Sequence, residues 1–223
     1  MPRKYGPLEV LPAGVARALG RDPYWFVIGG HAVRCFCPYR PSDDVDFGVG
    51  NAKDLRALLA ALEARGKVVV LERARDTVHL SFDGLDVSIF VLPGIRAHTE
   101  EHTLTADAVL ATKLHAILDR GVRRDFFDLY VMMEQERLGL VDCFRAIREV
   151  YASDVNEGLL LRSITYFADA DAEARLVGEG PGDWEHVKAF FVAAAGALLA
   201  PPSRQLAIQR RVVGVRSKAR KKT

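Results

Sequence analysis

The chain has 223 residues, 49% of them hydrophobic, which is enough to bury a core in one domain or slightly more. Its formal net charge of +2 excludes a uniformly basic protein that coats nucleic acid. The cysteines Cys35, Cys37 and Cys143 are too few for a disulfide framework, and the N-terminus lacks a basic-then-apolar signal pattern. The longest apolar stretch, near Ala189 to Ala200, is too short to span a membrane. We therefore expect a cytoplasmic protein without a membrane partner.

The first 92 residues or so combine helix and strand patterns. Val45, Phe47 and Val49 alternate with polar residues or glycine, which is typical of a half-buried strand. Asp83-Gly84 is a hairpin signal between two later strands. In chain order, the patterns predict a helix over Leu8–Leu19, a strand over Tyr24–Ile28 and a short helix over residues 31–37, then a strand over Val45–Val49, a helix through Leu55–Leu62 and strands over Lys67–Leu71, Thr77–Phe82 and Leu85–Leu92.

After Pro93-Gly94 the pattern becomes helical, and after Arg204 only basic charges occur. The predicted helices cover Ala106–Arg120, Arg123–Glu136, Leu140–Ala152, Asn156–Ala168 and Asp183–Leu199. We therefore expect an α+β fold, in which a mixed sheet with flanking helices precedes a helical half. The predicted divisions are an α/β core over residues 1–95, a helical region over 96–202 that completes the active site, and a basic tail over 203–223.

Asp44 and Asp46 form the first candidate site. Alternate side chains of a strand share a face, so the two carboxylates point the same way, with Cα atoms about 7 Å apart. Like charges at this spacing repel unless a cation lies between them. Hard oxygen ligands suit Mg²⁺, which also takes phosphate oxygens. The pair therefore indicates a site for Mg²⁺ or Mn²⁺, and the alternative is a solvent-facing Asp pair beside a turn.

Gly29-Gly30 follows a predicted strand directly. Glycine lets the backbone approach a ligand closely and adopt a positive φ. If a helix begins at His31 or Ala32, its free N–H groups could receive phosphate oxygens. Most Gly-Gly pairs are only tight turns, but a strand, Gly-Gly, a short helix and then a strand with Asp-x-Asp is far more specific. This order predicts a phosphate-binding turn beside a metal-binding strand.

Asp86 is a third candidate carboxylate, on the same strand face as Ser88 and Phe90. If its strand neighbours that of Asp44, Asp86 could be a third metal ligand or the base that deprotonates an attacking hydroxyl. The alternative is a solvated Asp just after a hairpin turn.

The helical half carries a second constellation. Lys113 and Arg120 are seven residues apart and share a helix face, and Asp125 and Asp128 lie opposite the apolar stripe of the next helix. One interpretation is two solvated faces, with Arg124 and Asp128 as an i,i+4 ion pair. The other places Lys113 on a triphosphate, where it stabilises the leaving pyrophosphate, and makes Asp128 a further carboxylate of the site.

Together these residues resemble the AbiEii/AbiGii toxin family, part of the polymerase-β-type nucleotidyltransferase superfamily, whose relatives include the MenT toxins. The match spans roughly residues 24 to 133 in the expected order. It is carried by Gly29-Gly30, Arg40-x-Ser42-x-Asp44-x-Asp46-Phe47, Lys113 to Arg120, and Arg124-Asp125-Phe126-x-Asp128-Leu129-Tyr130. Where the superfamily commonly has Gly-Ser, this chain has Gly30-His31.

The resemblance implies a nucleotidyltransferase-type sheet and metal-dependent transfer of NMP from an NTP. It implies Asp44 and Asp46 as metal ligands, Lys113 as an NTP ligand and Asp128 as a catalytic carboxylate. With the residues argued above, the candidate catalytic set is Asp44, Asp46, Asp86 and Asp128, the first three of them metal ligands, and the candidate NTP-binding set is Gly29, Gly30, Ser42, Lys113, Arg120 and Arg124.

Toxins of this kind are associated with adding nucleotides to tRNA or to proteins and are usually paired with an antitoxin. The resemblance therefore implies RNA, foremost tRNA, or a protein hydroxyl as acceptor, and a cognate antitoxin as partner. Two alternatives stay open: a small-molecule nucleotidyltransferase of the aminoglycoside type, and a catalytically silent domain that binds RNA or a partner protein. The basic tail fits a solvated terminus, a grip on RNA phosphates or a docking site for the antitoxin.

Overall fold

The structure is a computed structural model that describes residues 3–20, 24–42, 44–152 and 155–200. The predicted basic tail over residues 203–223 lies outside these ranges.

Short helices alternate with strands in the first part of the chain. The elements are α1 (Pro7–Val10), α2 (Ala13–Ala18), β1 (Phe26–Val27), α3 (Gly29–Phe36), β2 (Val45–Val49), α4 (Ala52–Glu63), β3 (Val68–Arg73), β4 (Thr77–Phe82), β5 (Leu85–Val91), α5 (Pro93–Arg96), β6 (Thr99–Glu100) and β7 (Thr103–Leu104). Helices follow as α6 (Ala106–Asp119), α7 (Arg123–Glu136), α8 (Leu140–Tyr151), α9 (Glu157–Ile164), α10 (Ala168–Asp171) and α11 (Asp183–Leu199).

Within the described ranges, the strands form one seven-stranded sheet in the order β3-β4-β5-β2-β1-β7-β6. Strand β2 runs parallel to β5, and β1 runs parallel to β7, whereas the other neighbours are antiparallel. The α+β class with a mixed sheet is therefore confirmed.

Strand β2 lies at the middle of the sheet, between β5 and β1, and its apolar side chains face the core. Val45, Phe47 and Val49 are fully buried, as the alternating pattern predicts. Asp46 consequently points to the opposite face of the sheet. The position of the first candidate carboxylates thus follows from the burial of their neighbours.

Helix α6 lies at the centre of the helical half, packed against α7, α8 and α9. Thr105 fixes its start, since the Oγ1 atom accepts the N–H of Ala108 at 3.3 Å. On α7, the Phe126 ring packs against Phe167, Trp184 and Phe191, with centroid distances of 5.3 to 5.7 Å. Both halves contribute to one hydrophobic core, so the helices are held firmly against the sheet.

Several element boundaries differ from the sequence predictions. The helix expected over Leu8–Leu19 is two helices, because Pro12 precedes α2 and has no N–H to continue α1. The helix expected over Asn156–Ala168 ends at Ile164, and α10 is separate. The β6–β7 hairpin adds two strands after residue 95, where a helical region was expected, since two-residue strands carry no detectable periodicity.

Among the described residues, no helix combines the length and the apolar character that crossing a bilayer requires.

Replacing Gly48 with Ala should destabilise the fold. A Cβ at this position would lie 2.2 Å from Cε2 of Phe26, a fully buried ring on the neighbouring strand. Relieving the overlap must move packed core atoms, so we expect the free energy of unfolding to fall by about 1–3 kcal/mol in urea denaturation. Gly14→Ala is the matched control, because a Cβ there meets open space within a helix and alanine favours helices. Equal stabilities of the two variants would contradict the prediction.

Candidate active site

A cleft of about 600 Å³ lies between the sheet and helix α6. It gathers residues from both halves of the chain, including most of the charged residues that the sequence singles out. Its lining includes Gly29, Asp44, Asp46, His79, Ser88, Phe90, Thr112, Lys113, His115, Asp119, Arg120 and Arg124. Acidic groups from the β2 region and basic groups from α6 and α7 thus meet in one depression, which suits a ligand that carries phosphates and a cation.

Asp44 and Asp46 both line this cleft, as expected from their spacing. Burial raises the pKa of Asp46, and the charge of Asp44 raises it further, while Lys113 and the nearby arginines oppose the rise. Asp44 is more open, with 42% of its side chain exposed. The two carboxylates therefore repel each other in a partly buried setting, which a divalent cation would relieve.

The glycine pair packs tightly against this acidic strand. Gly29 begins α3 with φ of +59°, and a Cβ there would lie 2.6 Å from Oδ2 of Asp46. A Cβ on Gly30 would lie equally close to Oγ of Ser42, which donates a hydrogen bond to the carbonyl of Asp44 at 3.4 Å. The positive φ of Gly29 strains any other residue there, whereas a side chain at position 30 would have to displace the Ser42 hydroxyl. No side chain caps α3, so the start of this helix meets the cleft with its backbone N–H groups unoccupied by a cap.

Lys113 on α6 lines the cleft, although only 7% of its side chain is exposed. Its Nζ atom lies 2.7 Å from Oδ2 of Asp128 and 3.2 Å from Oδ1 of Asp125. Burial alone would lower the pKa of Lys113, but the charges of Asp128 and then Asp125 raise it above its ordinary value. The ammonium is therefore held charged in a defined position.

Asp128 lies behind Lys113 and does not line the cleft. The Tyr39 hydroxyl donates to its Oδ1 at 2.5 Å, and the Arg40 guanidinium binds both oxygens at 3.0 and 3.1 Å. Burial would raise the pKa of Asp128, yet Lys113 and Arg40 lower it below its ordinary value. A buried, ionised and fully bonded carboxylate can hold Lys113 in place, whereas the structure gives it no direct access to an acceptor.

Arg120 and Arg124 are the other two cations of the site, and both are more exposed to solvent than Lys113. Arg120 binds the fully buried Asp125 through Nε at 2.9 Å and Nη2 at 3.2 Å. Arg124 lies 3.3 Å from Asp44, not beside Asp128 as an i,i+4 pair. Since Asp125 and Asp128 are 0% and 1% exposed, the interpretation of these helix faces as solvated is wrong.

Asp86 is not brought into the cleft. It is exposed on β5 and pairs in register with Ser81 of β4. The residue directly opposite Asp46 is Ser88, whose Oγ lies 2.8 Å from Nδ1 of His79 on β4. Within the described part of the chain, no group of three or more His, Cys, Asp or Glu side chains could hold a metal ion.

Sequence reasoning did not select His79, Ser88, Tyr39 or Asp125 for the site. His79 and Ser88 occupy cleft-facing positions of two predicted strands, so the period-two pattern could have flagged them once the strand order was known. The roles of Tyr39 and Asp125 depend on contacts between distant segments, which local periodicity does not reveal.

His31, which follows the glycine pair, faces the core. It is 2% exposed, and its Nδ1 has no hydrogen-bond partner. Burial, followed by the charge of Arg34, lowers its pKa to about 4. The imidazole is therefore neutral near neutral pH and is packed in the protein interior.

Comparison with known proteins shows which family and fold this chain resembles. A family model described as "Nucleotidyl transferase AbiEii toxin, Type IV TA system" matches residues 91–209, a range that contains Lys113, Asp125 and Asp128. The uncharacterized protein aq_aa25 of Aquifex aeolicus (strain VF5) is 26% identical over 192 residues, covering 82% of this chain and 91% of that protein. The crystal structure of JHP933 from Helicobacter pylori has a similar fold, with a TM-score of 0.52 and 16% identity over 92% of this chain and 94% of that chain.

Replacing His31 with Met, a side chain of similar size, should weaken the loss of stability in acid. Between pH 6.5, the ordinary pKa, and about 4, the unfolded chain binds a proton that the folded ring does not. The wild-type free energy of unfolding should therefore fall as the pH falls through this window, by up to about 3 kcal/mol. Urea denaturation across the window measures the slope. His186→Met is the control, because its ring is exposed, and an unchanged slope in His31→Met would refute the prediction.

Proposed function

Because the chain belongs to the AbiEii family of nucleotidyl transferase toxins of type IV toxin–antitoxin systems, we propose that it transfers NMP from an NTP to an acceptor in the cleft between the sheet and α6. Asp44 and Asp46 line the same cavity of about 600 Å³ as Gly29, Lys113 and Arg120. This juxtaposition carries the proposal, since it combines ligands for a cation with several donors for phosphate oxygens.

Asp44 and Asp46 are the groups that would hold a divalent metal, with Mg²⁺ the best match to hard carboxylate oxygens. The fit is supported by the raised pKa of Asp46, which reflects burial and repulsion by Asp44. Such an ion would neutralise negative charge on the triphosphate. Ser88 and His79, not Asp86, are the polar groups on the neighbouring strands of the cleft.

The cations of the cleft would bind the triphosphate. Lys113 supplies a fixed point charge, because Asp125 and Asp128 hold its ammonium in place before any ligand arrives. Arg120 is similarly held by Asp125, and Arg124 can exchange its contact with Asp44 for a phosphate oxygen. The open N-terminus of α3, made accessible by Gly29, adds backbone donors. Asp128, Tyr39 and Arg40 then act as positioning residues beneath Lys113.

In the proposed reaction, an acceptor hydroxyl oxygen forms a bond to the α-phosphorus. The bond from that phosphorus to the oxygen bridging the α- and β-phosphates breaks, and pyrophosphate leaves with that bonding electron pair. The hydroxyl proton is released to water in the open cleft. Lys113 and Arg120 stabilise the charge that develops on the departing pyrophosphate.

The acceptor that we propose is RNA, with tRNA as the first candidate and a protein hydroxyl as the competing one. A separate antitoxin is the proposed partner, consistent with the type IV toxin–antitoxin description of the family. Incubation with each NTP labelled at the α-phosphate, together with total RNA and with or without Mg²⁺, tests the whole proposal. A labelled RNA that depends on metal is the expected result.

Asp44→Asn and Asp46→Asn should reduce this labelling by about 100-fold or more, because each variant removes a carboxylate of the proposed metal site. Asp86→Asn is the matched control. It removes the same charge from an exposed position outside the cleft and should label RNA at the wild-type rate. Wild-type labelling by Asp46→Asn, or a loss confined to Asp86→Asn, would refute the assignment.

Arg120→Met and Arg124→Met should each raise the Kd for NTP by about tenfold, as expected when a charged hydrogen bond to phosphate is lost. Arg124 is 40% exposed, so the fold should tolerate its replacement. Arg120 also donates to the buried Asp125, so thermal unfolding of Arg120→Met is measured beside its NTP affinity. Isothermal titration calorimetry with each NTP in the presence of Mg²⁺ measures the effect. Arg65→Met, an exposed arginine on another surface, is the control. Equal NTP affinity in all three variants would argue against these two residues as NTP ligands.

A further inference from the structure

A second cavity, of about 510 Å³, lies beside the cleft between α6 and α9. His115 and Asp119, one turn apart on α6, line both cavities. The other residues around the second cavity are Leu118, Leu159, Arg162, Ser163 and Tyr166. The two cavities therefore adjoin along one face of α6, and a molecule bound in the second would lie next to the cleft.

Helix α9, which forms one wall of this cavity, has a buried face and an exposed face. Leu160 and Ile164 are fully buried and anchor α9 on the core. Arg162 is exposed, and Tyr166 just beyond the helix is 54% exposed. Among the residues that the structure describes, Arg162 takes part in no ion pair. This cavity thus offers a cation without an acidic partner next to an aromatic ring with an open face.

The junction between the two cavities is also aromatic. The His115 ring is exposed and stacks on Tyr151, with centroids 4.8 Å apart and planes 22° from parallel. This contact fixes the direction in which the imidazole faces the junction. A flat group that passes from the second cavity into the cleft would therefore meet a ring that is already ordered.

We propose that the second cavity is the acceptor subsite and that it binds the end of a single-stranded RNA. A guanidinium and an exposed aromatic ring are the groups that proteins use for single strands, through phosphate contacts and base stacking. Arg162 binds a backbone phosphate, and Tyr166 stacks on a base. The terminal hydroxyl then passes His115 and reaches the α-phosphorus in the cleft. This inference rests on the proposed function and adds where its acceptor binds.

The test is equilibrium binding of a short, fluorescently labelled single-stranded RNA, measured by anisotropy without NTP. Tyr166→Ala and Arg162→Glu should each weaken RNA binding by about tenfold. Arg162→Glu should also reduce the salt dependence of binding, because a phosphate contact is lost. Tyr5→Ala and Arg56→Glu are the matched controls, since they make the same changes at exposed positions on α4 or near the N-terminus. Both controls should bind RNA like the wild type.

The affinity for NTP, measured in the same variants by calorimetry, separates this inference from the proposed function. Weaker RNA binding in Tyr166→Ala and Arg162→Glu, with wild-type NTP affinity and thermal stability, supports the subsite. Unchanged RNA binding in both variants, while NTP still binds, overturns the subsite and leaves the proposed function intact. Labelling of a protein in a lysate that is unaffected by either substitution also overturns it, in favour of a protein acceptor. Failure of the wild type to bind NTP with Mg²⁺ would instead count against the proposed function.

Discussion

The Nζ atom of Lys113 lies 2.7 Å from Asp128 and 3.2 Å from Asp125, where only 7% of the lysine side chain is exposed. Removing an ammonium from water costs several kcal/mol, so it stays charged in the core only if carboxylates surround it. Those carboxylates need donors of their own, which Tyr39, Arg40 and Arg120 supply. One buried cation therefore ties α6, α7 and the segment before β2 into a single unit.

This network separates positioning from chemistry in the proposed site. The groups that hold Lys113 are buried and bonded, whereas the groups that face the cleft, Asp44, Asp46 and the two outer arginines, are partly open. Preorganised charges stabilise a developing negative charge without having to reorient during the reaction. This arrangement also makes the network sensitive to mutation, because losing Lys113 or its carboxylate partners would leave a buried charge uncompensated. The fold thus places a rigid cation opposite carboxylates that can still exchange partners.

Local patterns predicted much of this arrangement. The alternation from Val45 to Val49 specified both the strand and the shared face of Asp44 and Asp46, because burying the apolar side forces the carboxylates outward. The helices carrying Lys113 and Asp128 were also predicted within a residue or two. The strand of Asp86 does neighbour that of Asp44, as expected, but their pairing begins at Val45 and Val87. Asp86 lies just before this paired stretch and is exposed, whereas Ser88, opposite Asp46, lines the cleft. The short β6–β7 hairpin is too brief to leave a pattern.

The sequence by itself therefore determined which residues carry charge on which face of each element, because the periods of helices and strands are local properties. The sequence also pointed to Gly29-Gly30 as part of the site. The structure gives the steric reason for glycine at position 29, because a Cβ there would clash with Asp46. Tertiary structure alone decided the partners: Asp128 holds Lys113, Arg124 contacts Asp44, and the cavity beside α9 shares His115 with the cleft. These contacts join segments tens of residues apart, and they depend on how the elements pack, which no local pattern specifies.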